Sequence, residues 1–242
     1  MNKRCILVIG ESGTGKTLSL RNLPLEKILY INFDGKSEMG LGMEEKMKVV
    51  TPESPMDVIN SLEAFEASDK YDYIVIDTLS FMADQYEAMY IHDSEDSRSE
   101  WGNYAHEITT LLNFARLKSK KTWIFFNHLQ LNTSSTGTAA YVKGSLAKKS
   151  LESFFSTVLL TDTYDLAKPN PFGSVVGYRF QTKPTAQNRK VSARSPIGVF
   201  PEYIKNNDLD LVFRALDGEK IDWENNDVIF EKDKKLAKKL GI

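Results

Sequence analysis

Cysteine is nearly absent: Cys5 is alone among 242 residues, so no internal disulfide can form and no cysteine pair exists to hold a metal or run redox exchange. Cys5 sits inside the apolar run Cys5-Ile6-Leu7-Val8-Ile9 and reads as a small core residue. Histidine is also scarce, at three residues, and His92 and His106 have no metal-ligand companions, so both read as structural. No apolar run approaches the roughly 20 residues that cross a bilayer. The opening residues run straight into the first apolar stretch, and we expect no signal peptide and a cytoplasmic, soluble protein.

Excess charge is also lacking, since 31 Lys and Arg stand against 33 Asp and Glu. The total therefore says nothing about a polyanionic partner. Its distribution says more. Acid is missing from Ile108 to Leu151, which holds Arg116, Lys118, Lys120, Lys121, Lys143, Lys148 and Lys149. It is missing again from Leu166 to Pro201, which holds Lys168, Arg179, Lys183, Arg189, Lys190 and Arg194. Such segregation points to one basic surface built from two distant segments.

What is present is organised around Gly10-Glu11-Ser12-Gly13-Thr14-Gly15-Lys16-Thr17, between the first apolar run and a helical pattern beginning at Leu18. The stretch satisfies G-x-x-x-x-G-K-[ST] at every fixed position. Its glycines let the backbone curl so that successive N–H groups face a phosphate chain. The helix start adds a positive end, Lys16 reaches the outer phosphates, and Thr17 ligates Mg²⁺. Residues 10–18 are thus expected to bind a nucleoside triphosphate.

Further along, residues 27–33 read as a buried strand closed by Asp34-Gly35, with a short strand at 48–50 and a helix over 56–67 opened by Ser54-Pro55. Tyr71 to Asp77 is an apolar strand ending in a carboxylate placed to hold Mg²⁺. Helices are expected over 79–91 and 100–117 with a loop at 94–99 between them, then a buried strand at 122–126 ending in Asn127-His128. Residues 132–140 look like a structureless loop, followed by a helix at 146–155 and a strand at 157–161. Residues 175–182 and 190–193 look like an antiparallel pair, and 231–240 a lysine-rich helix. Alternating strands and helices predict an α/β fold with a mostly parallel twisted sheet covered on both faces, plus a C-terminal antiparallel hairpin. With 41% apolar residues and no repeat, one core is expected over residues 1–200, and 201–242 is expected to form a helical extension packed on or trailing it.

The order of Gly10 to Thr17, Tyr30 to Gly35, Ile74 to Thr78 and Ile124 to His128 resembles the RecA/RadA recombinase core. The resemblance implies a RecA-type P-loop ATPase using ATP and Mg²⁺, with Lys16, Asp34, Asp77 and His128 as the catalytic set. Asp34 stands where the family has a water-polarising glutamate, and His128 where it has a polar γ-phosphate sensor, glutamine in bacterial RecA. An aspartate is one methylene shorter, so hydrolysis is expected to be slow or borne by Glu38. The family's DNA-binding loop maps to Leu131 to Ala140, with Tyr141, Lys143, Lys148 and Lys149 as contacts for single-stranded DNA. Lys183, Arg189, Lys190 and Arg194 are candidates for a cation offered to a neighbouring subunit's site, in a homo-oligomeric ring or filament. The family's N-terminal oligomerisation element and bacterial RecA's C-terminal domain are unmatched. A bare core of this kind is similar to the RecA-like single-strand annealing proteins of phages, which implies work beside a single-stranded DNA-binding protein. A ring-forming helicase-type or helicase-loading motor and a non-hydrolysing nucleotide-gated adaptor stand as alternatives.

Overall fold

A computed structural model describes residues 4–36, 38–132, 137–144, 146, 150–186 and 191–242. Among the described residues ten strands are formed: β1 (Cys5–Ile9), β2 (Ile28–Asn32), β3 (Lys48–Val50), β4 (Tyr73–Asp77), β5 (Thr122–Asn127), β6 (Leu129–Asn132), β7 (Gly137–Ala140), β8 (Thr157–Asp165), β9 (Val176–Gln181) and β10 (Tyr203–Ile204). The described α-helices are α1 (Pro55–Asn60), α2 (Leu62–Ala67), α3 (Leu79–Tyr86), α4 (Ser97–Asn113), α5 (Leu209–Leu216), α6 (Asn226–Ile229) and α7 (Glu231–Leu240).

Eight strands form one sheet in the order β10-β9-β8-β1-β5-β4-β2-β3. From β8 to β3 every neighbouring pair is parallel, while β8–β9 and β9–β10 are antiparallel. The central strands are apolar at consecutive positions because both sheet faces are covered. Side chains alternate between faces. Leu7, Ile9, Ile74, Ile76, Trp123 and Phe125 pack with α3 and α4. Ile6, Val8, Val75, Ile124 and Phe126 pack on the other face with Leu209, Val212 and Phe213 of α5. This is an α/β P-loop NTPase fold.

One feature of the strand order places the site. β5 lies between β1 and β4, so the glycine loop after β1 and Asp77 at the end of β4 flank the end of β5. All these strands finish at one sheet edge, where open α/β folds bind ligands.

Several local expectations are corrected. The helix expected after the glycine loop is a single 3₁₀ turn, Thr17–Leu20. The Ser19 hydroxyl bonds back to the Lys16 carbonyl at 2.5 Å, and Pro24, which lacks an N–H, stands where a longer helix would need one. The 56–67 helix breaks at Ser61 into α1 and α2. The loop expected at 94–99 is already helical from Ser97, because Asp96 caps α4 by accepting from the Ser99 N–H at 3.0 Å. The flanks of the supposed loop 132–140 form an antiparallel hairpin, β6 with β7; residues 133–136 lie outside the described residues. Small, polar residues gave no periodicity there, and backbone pairing needs none. The 146–155 helix is replaced, where described, by a 3₁₀ turn at Leu151–Phe154. The partner of β9 is not 190–193 but β8 and β10; Val191 and Arg194 instead make isolated bridges to Thr138 and Val158.

Candidate nucleotide site

The loop between β1 and the Thr17 turn owes its shape to two glycines above all. Gly10 turns against β8, where an added Cβ would lie 1.8 Å from the Thr161 hydroxyl. Gly15 has φ +86°, and a Cβ there would meet the Asn207 amide at 2.6 Å and the Tyr178 ring at 2.8 Å. Both close approaches hold the loop against the rest of the molecule. The Gly10 N–H donates to the Asn127 carbonyl at 3.2 Å, the Thr14 hydroxyl lies 2.6 Å from that of Thr161, and the Asn207 side chain donates to the Gly15 carbonyl at 2.7 Å.

Lys16 is only 8% exposed. Its ammonium folds back to donate to the carbonyls of Gly10 at 2.9 Å and Glu11 at 2.8 Å. Burial, offset in part by Asp77, lowers its pKa to about 8. Asp77 is buried at the end of β4 and accepts hydroxyl hydrogen bonds from Thr17 at 3.0 Å and from Tyr30. Its carboxyl is held above the ordinary aspartate range, chiefly by burial. Burial and the Asp77 charge together push the Tyr30 phenol up, so it stays protonated and donates. Asp77 forms no ion pair with any described residue, which leaves a buried carboxylate short of positive charge.

That shortfall fits a divalent cation. Thr17 and Asp77 already touch, and no cluster of three or more His, Cys, Asp or Glu able to cage a metal exists among the described residues. Mg²⁺ suits such a site, since it takes one or two protein oxygens and completes its shell with phosphates and water.

A cleft of about 230 Å³ opens over these groups and is also lined by Ser12, Gly13, Leu18, Asp34, His128 and Tyr178. Asp34, at the tip of β2, is ion-paired to Lys36 at 2.7 Å. Glu38 is exposed and does not line the cleft. His128 follows β5; its Nδ1 lies 2.7 Å from the Ser80 hydroxyl, which in turn lies 2.7 Å from that of Thr78. Burial, then the neighbouring Lys16 charge, lowers the His128 pKa, so the ring is neutral near pH 7. The structure thus brings Lys16, Thr17, Asp34, Asp77 and His128 to one cavity, where charge on a phosphate could be met by ammonium, hydroxyl and imidazole.

Sequence reading missed several members. Thr78 and Lys36 carried a weak signal, standing beside Asp77 and Asp34. Tyr178, on β9, and Asn207, before α5, carried none. Asn127 was passed over for His128, yet its carbonyl holds Gly10 while its side-chain amide donates to the Tyr141 carbonyl at 2.7 Å.

Other sequence candidates stand apart. Tyr141 donates its N–H to the His128 carbonyl at 2.8 Å. Lys143 is ion-paired to Asp84 at 2.6 Å and to Glu87; burial opposes its charge, but these two carboxylates outweigh burial and raise its pKa. Lys183 is exposed, and Arg194 donates to the Phe155 carbonyl at the opposite sheet edge. Neither lines the cleft of its own chain. Lys148, Lys149, Arg189 and Lys190 lie outside the described residues.

Comparison with solved structures finds similarity to one titled "Crystal structure of the RadB recombinase", at 19% identity and TM-score 0.47, covering 75% of this chain and 88% of that one. No curated protein matches the sequence. The family described as AAA domain matches residues 2–188, which spans β1 through the cleft-lining β9. A phosphate loop, a strand-end carboxylate and an intervening strand in this order, within that match, make the chain a member of the AAA domain family of P-loop ATPases.

Proposed function

We propose that the protein is an ATP-modulated, RecA-like recombinase that binds single-stranded DNA and promotes annealing or strand pairing, as phage single-strand annealing proteins do. The observation that carries this reading is the continuity between cleft and hairpin. His128 lines the cleft, β6 begins at the next residue, and the chain returning from β7 is tied at Tyr141 to both Asn127 and His128. A change at the γ-phosphate position is therefore one residue from the segment proposed to meet DNA.

In this reading the loop amides and Lys16 bind the triphosphate, and Lys16 leaves the Gly10 and Glu11 carbonyls to do so. Thr17 and Asp77 would hold Mg²⁺, which supplies positive charge against the β- and γ-phosphates. Asp34 orients the attacking water, and its ion pair with Lys36 keeps that carboxylate partly occupied, which supports slow turnover. His128 reports the γ-phosphate. A basic residue from a neighbouring subunit, among Lys183, Arg189, Lys190 and Arg194, completes the site in a ring or filament. With Lys143 neutralised by Asp84 and Glu87, DNA contact by Lys143 requires those pairs to open. Work beside a single-stranded DNA-binding protein in the cytoplasm belongs to the same proposal; no helix among the described residues is long and apolar enough to cross a membrane. The Asp34–Lys36 pair also favours, as a second reading, a nucleotide-gated adaptor that does not hydrolyse.

The deciding experiment measures affinity for a fluorescent oligothymidylate with no nucleotide, with ADP and with a non-hydrolysable ATP analogue, alongside ATPase rates with and without DNA. Tighter binding with the analogue and DNA-stimulated turnover lost in Lys16→Ala support the proposal. Equal affinities in all three states overturn it.

A further inference from the structure

Both acid-free segments touch the nucleotide cleft, through His128 and Tyr178, but their arginines do not line it. An arginine from each, Arg116 and Arg194, lines a cleft of about 460 Å³ at the opposite edge of the sheet, together with Arg4, Phe154, Ser153 and Ser156. Its floor is the start of β1 and of β8, through Cys5 and Thr157. β1 separates the two clefts by its length, about 17 Å at roughly 3.3 Å per residue, so one triphosphate cannot occupy both.

The charges here are unbalanced. Arg4 is paired to Asp217 at 2.6 Å. Among the described residues Arg116 makes one hydrogen bond, to the Asn113 side chain at 3.0 Å, and its guanidinium stands 5.7 Å over the Phe154 ring. Arg194 donates to the carbonyls of Phe155 and Ser153. Among the described residues neither Arg116 nor Arg194 has a carboxylate within ion-pair distance, and the cleft lining holds no acid at all. Arginine offers a planar fork of donors matched to phosphate oxygens. The size lies within the roughly 300–1,000 Å³ of small-ligand sites.

We propose that this cleft is a second anion site, separate from the triphosphate site, that takes the phosphate of a nucleotide unit, whether free or within a strand. Arg116 and Arg194 grip the phosphate from the two acid-free segments, with Arg4 as the third cation on the wall. The proposal is independent of the recombinase reading, which rests on the other end of the sheet.

The test uses Lys16→Ala protein, in which the first site is silenced, titrated calorimetrically with inorganic pyrophosphate and separately with a short oligothymidylate. Binding of pyrophosphate that weakens about tenfold in Arg116→Gln supports the site, since a hydrogen bond to a charged group is worth about 1.5–3 kcal/mol. Binding of the oligonucleotide alone, weakened likewise, supports it with a strand as the source. Arg116 is exposed and, among the described residues, held by Asn113 and the Phe154 ring alone, so Arg116→Gln folds; Arg116→Gln/Arg194→Gln then deepens the loss. Oligonucleotide binding indifferent to both variants belongs elsewhere, for instance to the hairpin, and overturns this site while leaving the recombinase reading intact. Absence of binding by either probe also overturns it, as does self-association abolished by Arg116→Gln with neither probe bound, which would make the occupant a carboxylate of a second copy.

Discussion

Arg21 and Asp233, 212 positions apart, form a buried bidentate pair: Nε meets Oδ1 at 2.8 Å and Nη2 meets Oδ2 at 2.7 Å. Both side chains are 2% exposed. The pair fastens α7 to the turn that follows the phosphate loop. The Arg21 guanidinium also reaches the Asn207 side chain at 3.2 Å, and Asn207 holds the Gly15 carbonyl. The far end of the chain therefore braces the nucleotide loop.

Asp233→Ala strands a buried guanidinium and is expected to cost about 3–5 kcal/mol, read as a lower urea midpoint. Arg21→Leu/Asp233→Leu should recover much of that loss, since an apolar pair avoids the desolvation penalty. Nucleotide affinity should stay weakened in the double variant, because Asn207 has lost its anchor. Full affinity in the double variant would show that the brace does not act on the loop.

Nucleotide affinity should depend on pH through Lys16. Its pKa in the free protein is lowered to about 8, and a bound phosphate raises it. The protonated form binds, so affinity is complete below pH 8 and falls above it, by up to about tenfold per pH unit. Calorimetry in buffers of different ionisation enthalpy should show proton uptake on binding above pH 8. A flat profile from pH 7 to 9.5, a range chosen to bracket roughly one unit below and above the free value, would contradict the assignment.

Asp77→Asn should stabilise the nucleotide-free protein. The buried carboxylate is held above its ordinary pKa, so its ionisation works against the fold at neutral pH. Stability contributed by this group is present at pH below the ordinary aspartate value and is lost as pH rises through the raised one. Neutralising it should raise the melting temperature by a few degrees, about 2–4 °C per kcal/mol for a chain of this size. The same change should abolish Mg²⁺-dependent nucleotide binding. A lower melting temperature would mean that the Thr17 and Tyr30 hydrogen bonds outweigh the burial of charge.

Gly15→Ala combines left-handed backbone with a side chain driven into Tyr178 and Asn207. The expected loss is at least about 1–3 kcal/mol of strain, with nucleotide binding impaired beyond what stability alone explains. Gly13→Ala shares the positive φ but meets nothing within 4 Å, and should be the milder of the two in a side-by-side melt.

If cleft and hairpin are coupled as proposed, Asn127→Ala should leave nucleotide affinity within about threefold, a change under 1 kcal/mol, yet erase the difference in DNA affinity between nucleotide-free and analogue-bound protein. The Gly10 contact is to the Asn127 backbone and survives, whereas the side-chain bond to Tyr141 does not. An undiminished nucleotide effect on DNA would place the coupling elsewhere.

Much was legible locally. The glycine loop, Asp77 and the strand after it each announce themselves in a few consecutive residues, because backbone curl, strand burial and strand-end polarity are local demands. The helix after the loop was not legible, since Ser19 and Pro24 overrule a pattern that favours helix. The 132–140 segment misled for the opposite reason: hairpin pairing there is made by backbone groups that no side-chain pattern advertises.

By itself, then, the sequence determined that β1 would end in a tight glycine turn and that a buried carboxylate would close a later strand, since glycine freedom and apolar runs act over a few residues. Only the tertiary structure decided that β5 would separate those two, that Tyr178 would wall the cleft and Asn207 hold the Gly15 carbonyl, that Lys143 would pair with Asp84 and Glu87, and that Arg116 and Arg194 would line a second cleft. Those outcomes depend on which strands lie side by side and on side chains meeting partners far along the chain, which no window of consecutive residues contains.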